Sequence, residues 1–256
     1  MLEELIAGAV LDATARLDVR SFAQVERTAM ERSPALDVRG ALAPSDRVKI
    51  IAEVKRASPS RGRLAEIPDP AELAVRYARG GASAVSVLTE GRRFGGSLAD
   101  LEAVRGAIDI PVLRKDFIVL PYQVLEARAA GADLVLLMAS ALSQTSLMQL
   151  NALTEELGMT ALVETHDAEE ISRALDAGAK VIGVNARDLN TFELDRNLFG
   201  SLADRIPAGT VRVAESAVTS AADVAHYRAA GADVVLVGEA LVTSDPEATL
   251  AEFLAT

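Results

Sequence analysis

The sequence predicts an α/β fold: a closed (β/α)8 barrel of parallel strands, preceded by an N-terminal helical extension over residues 1–46. Three observations predict it. A short phrase recurs, as Gly80-Gly81-Ala82-Ser83, Ala130-Gly131-Ala132-Asp133, Ala177-Gly178-Ala179-Lys180 and Ala230-Gly231-Ala232-Asp233. Each copy closes an alanine-rich helical pattern and opens an apolar run, with glycine where a helix C-terminus takes a left-handed residue. Eight such apolar runs occur along the chain, with helical patterns between them. Several of these runs end on a charged or amide side chain, and the C-terminal ends of the strands are where barrels of this architecture, TIM barrels, place their active sites.

The extension comes first. Leu2, Leu5, Ile6, Ala9, Val10, Ala13 and Leu17 follow helical spacing, and Ser21 with Gln24 reads as the capping box of a second helix. This extension is expected to pack on the barrel, either as a stabilising element or as a cover over the mouth of the site. The strands expected next are 48–54, 84–88, 111–113, 134–138, 160–163, 181–184, 211–214 and 234–237. A doubly wound open sheet also alternates strand and helix, but it has a different strand count and usually carries a glycine fingerprint after its first strand. Here the first strand ends in Glu53-Val54-Lys55-Arg56. No linker or low-complexity stretch divides the chain, so residues 1–256 read as a single domain.

With 256 residues and 50% apolar content, the chain is long enough to bury a large core. It has no cysteine, which excludes disulfides, thiolate zinc sites, iron–sulfur clusters and a cysteine nucleophile. A net charge of −11 argues against nucleic-acid or anionic-membrane binding, because a phosphate backbone would be repelled over most of the surface. One anionic metabolite in a local basic pocket is compatible with that charge. The N-terminal segment is too acidic and interrupted for a signal peptide, and no apolar run reaches membrane-spanning length. The expectation is a soluble, cytoplasmic protein; a monomer is compatible with the sequence, which encodes no legible oligomeric state.

Alternate residues of a strand share a face, which tests whether the terminal polar groups converge. If Ile51 points into the barrel, Glu53 and Lys55 do too. The same parity pairs Leu113 with Lys115, Leu162 with Glu164, Gly183 with Asn185 and Val213 with Glu215. Five strands thus deliver polar groups to one region. They are read either as an internal ion-pair network or as acid/base machinery, since mutual fields drive pKa values apart. His166 and His226 fit structural roles, the first near the capped start of a helix and the second within a helical pattern. No histidine pair has metal spacing, so no metal and no cofactor is expected.

Barrels of this class often hold phosphate at the loops after strands seven and eight. Glu215-Ser216-Ala217 and Gly238-Glu239-Ala240 occupy those places, and the Ser58-Pro59-Ser60 turn after the first strand lies beside them in a closed barrel. Ordinary helix capping by Ser216 or Ser220 is the alternative.

The run Ile51-Ala52-Glu53-Val54-Lys55-Arg56-Ala57-Ser58-Pro59-Ser60 resembles the signature of the indole-3-glycerol phosphate synthase family. So do Val112-Leu113-Arg114-Lys115-Asp116-Phe117, Ala161-Leu162-Val163-Glu164, Ile182-Gly183-Val184-Asn185-Ala186-Arg187-Asp188-Leu189 and Val213-Ala214-Glu215-Ser216. The resemblance runs over nearly the whole chain. It implies a carboxy-lyase of tryptophan biosynthesis, converting 1-(2-carboxyphenylamino)-1-deoxyribulose 5-phosphate to indole-3-glycerol phosphate with loss of carbon dioxide and water. Lys115 would be the general acid of ring closure and Glu164 a proton donor or acceptor in later steps. Lys55 would contact substrate, Glu53 would hold the lysines, and Asn185 and Glu215 would bind the ribulosyl hydroxyls. Phe94, Phe117 and Leu189 would wall the aromatic ring, with Arg187 near its carboxylate end. Ser58, Ser216, Ala217, Gly238 and Glu239 would surround phosphate.

Two departures stand out. Family members usually have Gly at the position of Ala217, where a methyl group strains the backbone if φ is positive. Several relatives have a polar residue at the position of Gly95. Two rival functions are another phosphosugar-acting barrel, including a Schiff-base aldolase using Lys115, and a non-catalytic barrel that binds a phosphorylated ligand.

Overall fold

A computed structural model describes residues 1–188 and 191–256. Its eight barrel strands are β1 (Lys49–Val54), β2 (Ala84–Leu88), β3 (Val112–Lys115), β4 (Leu134–Met138), β5 (Thr160–Thr165), β6 (Val181–Asn185), β7 (Val211–Glu215) and β8 (Val234–Val237). They pair in parallel in chain order, and β1 closes on β8 through Lys49–Val234 to Ala52–Val237. The expected closed barrel is therefore the observed one.

Helices α1 (Leu2–Val19), α2 (Phe22–Glu31) and α3 (Val38–Leu42) precede the barrel. The outer ring is α4 (Pro70–Arg79), α5 (Leu98–Ala107), α6 (Pro121–Ala130), α7 (Gln144–Glu156), α8 (Ala168–Asp176), α9 (Leu198–Leu202) and α10 (Ala221–Ala229), followed by α11 (Glu239–Val242) and α12 (Pro246–Leu254). The recurrent glycine joints explain how a helix hands over to a strand: Gly81, Gly131, Gly178 and Gly231 all have positive φ, between 85° and 95°.

The parity of each strand divides the interior in two. Ile51, Leu113, Leu162 and Val213 belong to the cluster that fills the barrel. Their neighbours Ala52, Val112, Val163 and Ala214 belong to the shell between barrel and helices. Both ends of β3 differ from the sequence reading. Pro111 precedes β3, and pairing continues through Arg114 and Lys115. Three other strands likewise carry their polar residue inside the pairing: Glu164 is paired with Gly183, and Asn185 with Glu215. A short antiparallel hairpin, Ala57–Ser58 with Gly62–Arg63, was not foreseen and lifts the turn after β1 over the mouth.

The extension reaches both ends of the barrel. The Ser21 and Gln24 capping box starts α2, which packs Val25 and Ala29 on Tyr122, Leu125 and Ala129 of α6. Val38 and Leu42 of α3 join the barrel-filling cluster next to the start of β1, where Lys49 Nζ donates to Ala41 O at 2.9 Å. Leu5 and Ala9 of α1 join the same cluster near Phe94 and Phe117. Leu17, expected on the packed face, is exposed near the end of α1.

Candidate active site

A cavity of about 450 Å³ opens at the C-terminal ends of the strands, within the size range of small-molecule sites. Glu53, Lys55, Lys115, Glu164 and Asn185 all line it, as the parity argument requires. Glu215 lies directly beneath them and is fully buried.

Lys115 Nζ stands 3.1 Å from Glu215 Oε2 and 3.5 Å from Glu53 Oε2. Lys55 Nζ stands 2.8 Å from Glu53 Oε1. Glu53 thus bridges the two ammonium groups. Burial alone would push its carboxyl up, but Lys55 and Lys115 outweigh that and hold it down at about 2. For Lys115, burial favours the neutral amine, yet the fields of Glu53, Glu215 and Glu164 win and raise it well above the ordinary lysine range. Glu215 goes the other way. Its burial and the neighbouring Glu164 carboxylate raise it to about 7 against the pull of Lys115.

Glycines make this packing possible. A methyl group at Gly183 would overlap Glu215 Oε1, and one at Gly238 would sit 2.6 Å from Glu53 Oε1. The carboxylates occupy the space a side chain would need.

The aromatic wall has its own scaffold. Phe94 and Phe117 stand 6.2 Å apart, tilted by 45°, and Leu5 of α1 lines the cavity with them. Phe94 is placed by Glu90, whose carboxylate accepts from the N–H groups of Arg92, Arg93 and Phe94 at 2.9, 2.7 and 2.9 Å. Phe117 and Lys115 are placed by Asp116, which accepts from its neighbour Phe117 N–H at 2.9 Å and from buried Arg114 Nη2 at 2.9 Å. Arg114 also donates to Gln123 O and approaches Glu126, which is paired with Arg16 of α1. Sequence reasoning missed Glu90, Arg114 and Glu126. The signal for Arg114 was available: its parity puts a charge on the helix-facing side of β3, where it must be paired.

At the opposite end, Ser216 and Ala217 have φ of 69° and 57°. Ser216 Oγ donates to Asn185 Oδ1 at 2.8 Å, and Arg187 N–H donates to the same oxygen at 3.0 Å. Two donors engage that carbonyl, so Asn185 has its amide Nδ2 to offer a ligand hydroxyl. Ser220 caps α10, so it is a structural cap. Ser58, Gly238 and Glu239 line the mouth with Ser216 and Ala217. The Glu239 carboxylate is paired with Arg61, a cation on the hairpin that the sequence reading did not single out. Arg187 is half-buried and donates to Phe192 O at 3.2 Å. Leu189 lies outside the described residues. Gly95 has φ of 67° and lies against Arg56, where a side chain would be strained in any case.

His226, on α10, contacts its neighbour Tyr227 and the Arg196 carbonyl before α9, in keeping with a structural role. His166 does not stay apart from the chemistry: its Nε2 is 3.5 Å from Glu164 Oε1.

Comparison with known proteins supplies the family. The family model described as indole-3-glycerol phosphate synthase matches residues 2–253. The chain belongs to that family. An indole-3-glycerol phosphate synthase of Leifsonia xyli subsp. xyli is 69% identical over 253 residues, covering 99% of this chain and 97% of that protein. One from Rhodococcus jostii is 56% identical over 255 residues, covering 99% and 94%. Among solved structures, thiamine phosphate pyrophosphorylase from Pyrococcus furiosus superposes with a TM-score of 0.62 at 14% identity, over 85% of this chain and 96% of that one. That likeness shows the barrel alone. The polar groups cluster at one mouth, while Val38 and Leu42 of α3 join the barrel-filling cluster at the other end.

Proposed function

We propose that this mouth performs the carboxy-lyase reaction of indole-3-glycerol phosphate synthesis, with Lys115 as the general acid of ring closure. The observation that supports it is the placement of one half-buried ammonium group between two buried carboxylates, at 3.1 and 3.5 Å, beside an aromatic wall. The anthranilate ring lies against Phe94 and Phe117, with its carboxylate toward Arg187 or Lys55. Serines 58 and 216 and the backbone around Ala217, Gly238 and Glu239 take the phosphate.

Ring closure places negative charge on the ketone oxygen. An ammonium aimed at that atom in a water-poor cavity stabilises the charge as it forms. The alkoxide is a far stronger base than an amine, so Lys115 hands over its proton and Glu53 keeps the lysines charged and oriented. Carbon dioxide then leaves and the ring regains its aromatic electrons. In the last step Glu164 protonates the departing hydroxyl, and a carboxylate takes the proton lost from carbon. Asn185 and Glu215 hold the ribulosyl hydroxyls during these steps.

Among the described residues no helix is long and apolar enough to cross a membrane. We read the protein as a cytoplasmic enzyme of tryptophan biosynthesis that needs no cofactor, its extension and barrel acting as one domain because Leu5 belongs to the cavity wall. A monomer is sufficient, since every group named comes from one chain. The direct test is conversion of the carboxyphenylamino-deoxyribulose phosphate, followed by indole fluorescence. Borohydride added during turnover should leave Lys115 unmodified; a reduced adduct on Lys115 would replace the general-acid role with Schiff-base chemistry.

A further inference from the structure

The reaction consumes a proton. The substrate loses its carboxylate as neutral carbon dioxide and its hydroxyl as neutral water, so charge balances only if one proton enters from solvent in each turnover. That proton goes first to the ketone oxygen, and the ammonium group that supplied it must be recharged. Lys115 reaches solvent only through the cavity, with 16% of its side chain exposed, and substrate seated on it would close that access.

A second cavity, of about 350 Å³, lies behind the first and shares Asn185 and Leu194 with it. His166 and Glu170 line it. His166 Nδ1 is 3.2 Å from Glu170 Oε2, and the His166 backbone N–H donates to the same oxygen at 2.7 Å, which holds the carboxylate against the ring. The other ring nitrogen, Nε2, is buried without a hydrogen-bond partner and points its shortest contact at Glu164 Oε1, 3.5 Å away. A small rotation of either side chain closes that gap. A buried, unpaired polar nitrogen costs free energy unless it is used. Glu164 in turn lies against Glu215, which holds Lys115.

We propose that Glu170 and His166 form the route by which the proton consumed in each turnover returns to the site, passing to Glu164, Glu215 and finally Lys115. This inference rests on the reaction assigned above. The imidazolium gives its Nε2 proton to Glu164, which leaves a neutral ring with its remaining proton on Nδ1; half a turn of that ring brings the bare nitrogen toward Glu170, from which it takes a proton replenished through the second cavity. No bond other than N–H and O–H changes. The groups around His166 suit a proton donor: Glu164 on its own strand, Glu170 on α8, Glu215 on β7, and Asp188, Glu193 and Asp195 lining the same cavity. Burial disfavours the charged ring, but Glu170, Glu164 and Glu215 outweigh it and raise His166 to about 9, so it carries its proton at neutral pH.

The test compares first and later turnovers. In His166→Gln and Glu170→Gln, Lys115 still begins each experiment protonated. The single-turnover rate with enzyme in excess should therefore stay within about twofold, while steady-state kcat falls about tenfold. A burst of one product per site should appear, and added imidazole or formate should restore kcat in proportion to its concentration. His226→Gln serves as the control and should change nothing. Equal loss of single-turnover and steady-state rates without rescue would reduce His166 to a structural support and overturn the relay. Absence of turnover in the unsubstituted enzyme would instead overturn the reaction assignment.

Discussion

Ala217 follows Ser216 with both residues at positive φ, so two successive L-amino acids hold a conformation that costs about 1 kcal/mol or more each. The hydrogen bonds from Ser216 Oγ to Asn185 and from Tyr227 to Ser216 O offset part of that cost. Ala217→Gly should relieve it, raising stability by about 1 kcal/mol in urea unfolding and leaving KM equal or lower. A large rise in KM would mean that phosphate sits elsewhere. This strain was legible in the sequence as a conditional statement: the missing glycine was visible, but the sign of φ was not. Gly183 shows the converse case. Parity placed Asn185 at the mouth through Gly183, but only the coordinates show that Glu215 fills the space above that glycine. Gly183→Ala should therefore displace Glu215 and lower kcat, with KM less affected.

Strand β3 and helices α1 and α6 hold the machinery as a unit. Arg16, Glu126, Arg114 and Asp116 run from α1 to the strand that carries Lys115, with Arg114 fully buried. Removing one member of a buried ion network strands the others without a partner. Arg114→Met should destabilise the fold by about 3–5 kcal/mol, read from the denaturation midpoint, whereas Arg76→Met on α4, whose partners Asp245 and Glu247 are solvent-exposed, should leave that midpoint almost unchanged. The order and number of strands were readable because glycine joints and apolar runs are local. The hairpin after β1 and the spanning of both barrel ends by α1 and α3 were not, because each depends on contacts between distant segments. The choice left open for the extension is resolved by Leu5 in the cavity wall and Val38 and Leu42 at the far end: it does both jobs.

Across the whole molecule, a net charge of −11 surrounds a mouth where lysines and arginines offset the carboxylates. Stability should depend on pH in two opposing ways. Glu53 is held at about 2 against an ordinary 4.5, so its contribution is complete above pH 4.5 and is lost as pH falls through about 2. Glu215 is raised from 4.5 to about 7, so its contribution is complete below pH 4.5 and is lost as pH rises through about 7. Glu215→Gln should flatten the fall in Tm between pH 4.5 and pH 7 while leaving the acid limb set by Glu53 in place; an unchanged slope would remove Glu215 as its origin.

The convergence of five strands on one mouth was legible from parity, whereas the reaction came from the resemblance of the motifs, because strand spacing places groups without naming the bonds they act on. The chain contains no tryptophan, so the appearance of an indole is read without protein background. The most direct measurement is that fluorescence under saturating substrate for the unsubstituted enzyme and for Lys115→Met, with binding of a ketone-reduced substrate analogue measured in parallel. Turnover should fall by at least about 10²-fold while the analogue still binds within a few-fold of its original Kd. Normal turnover in Lys115→Met would contradict the account.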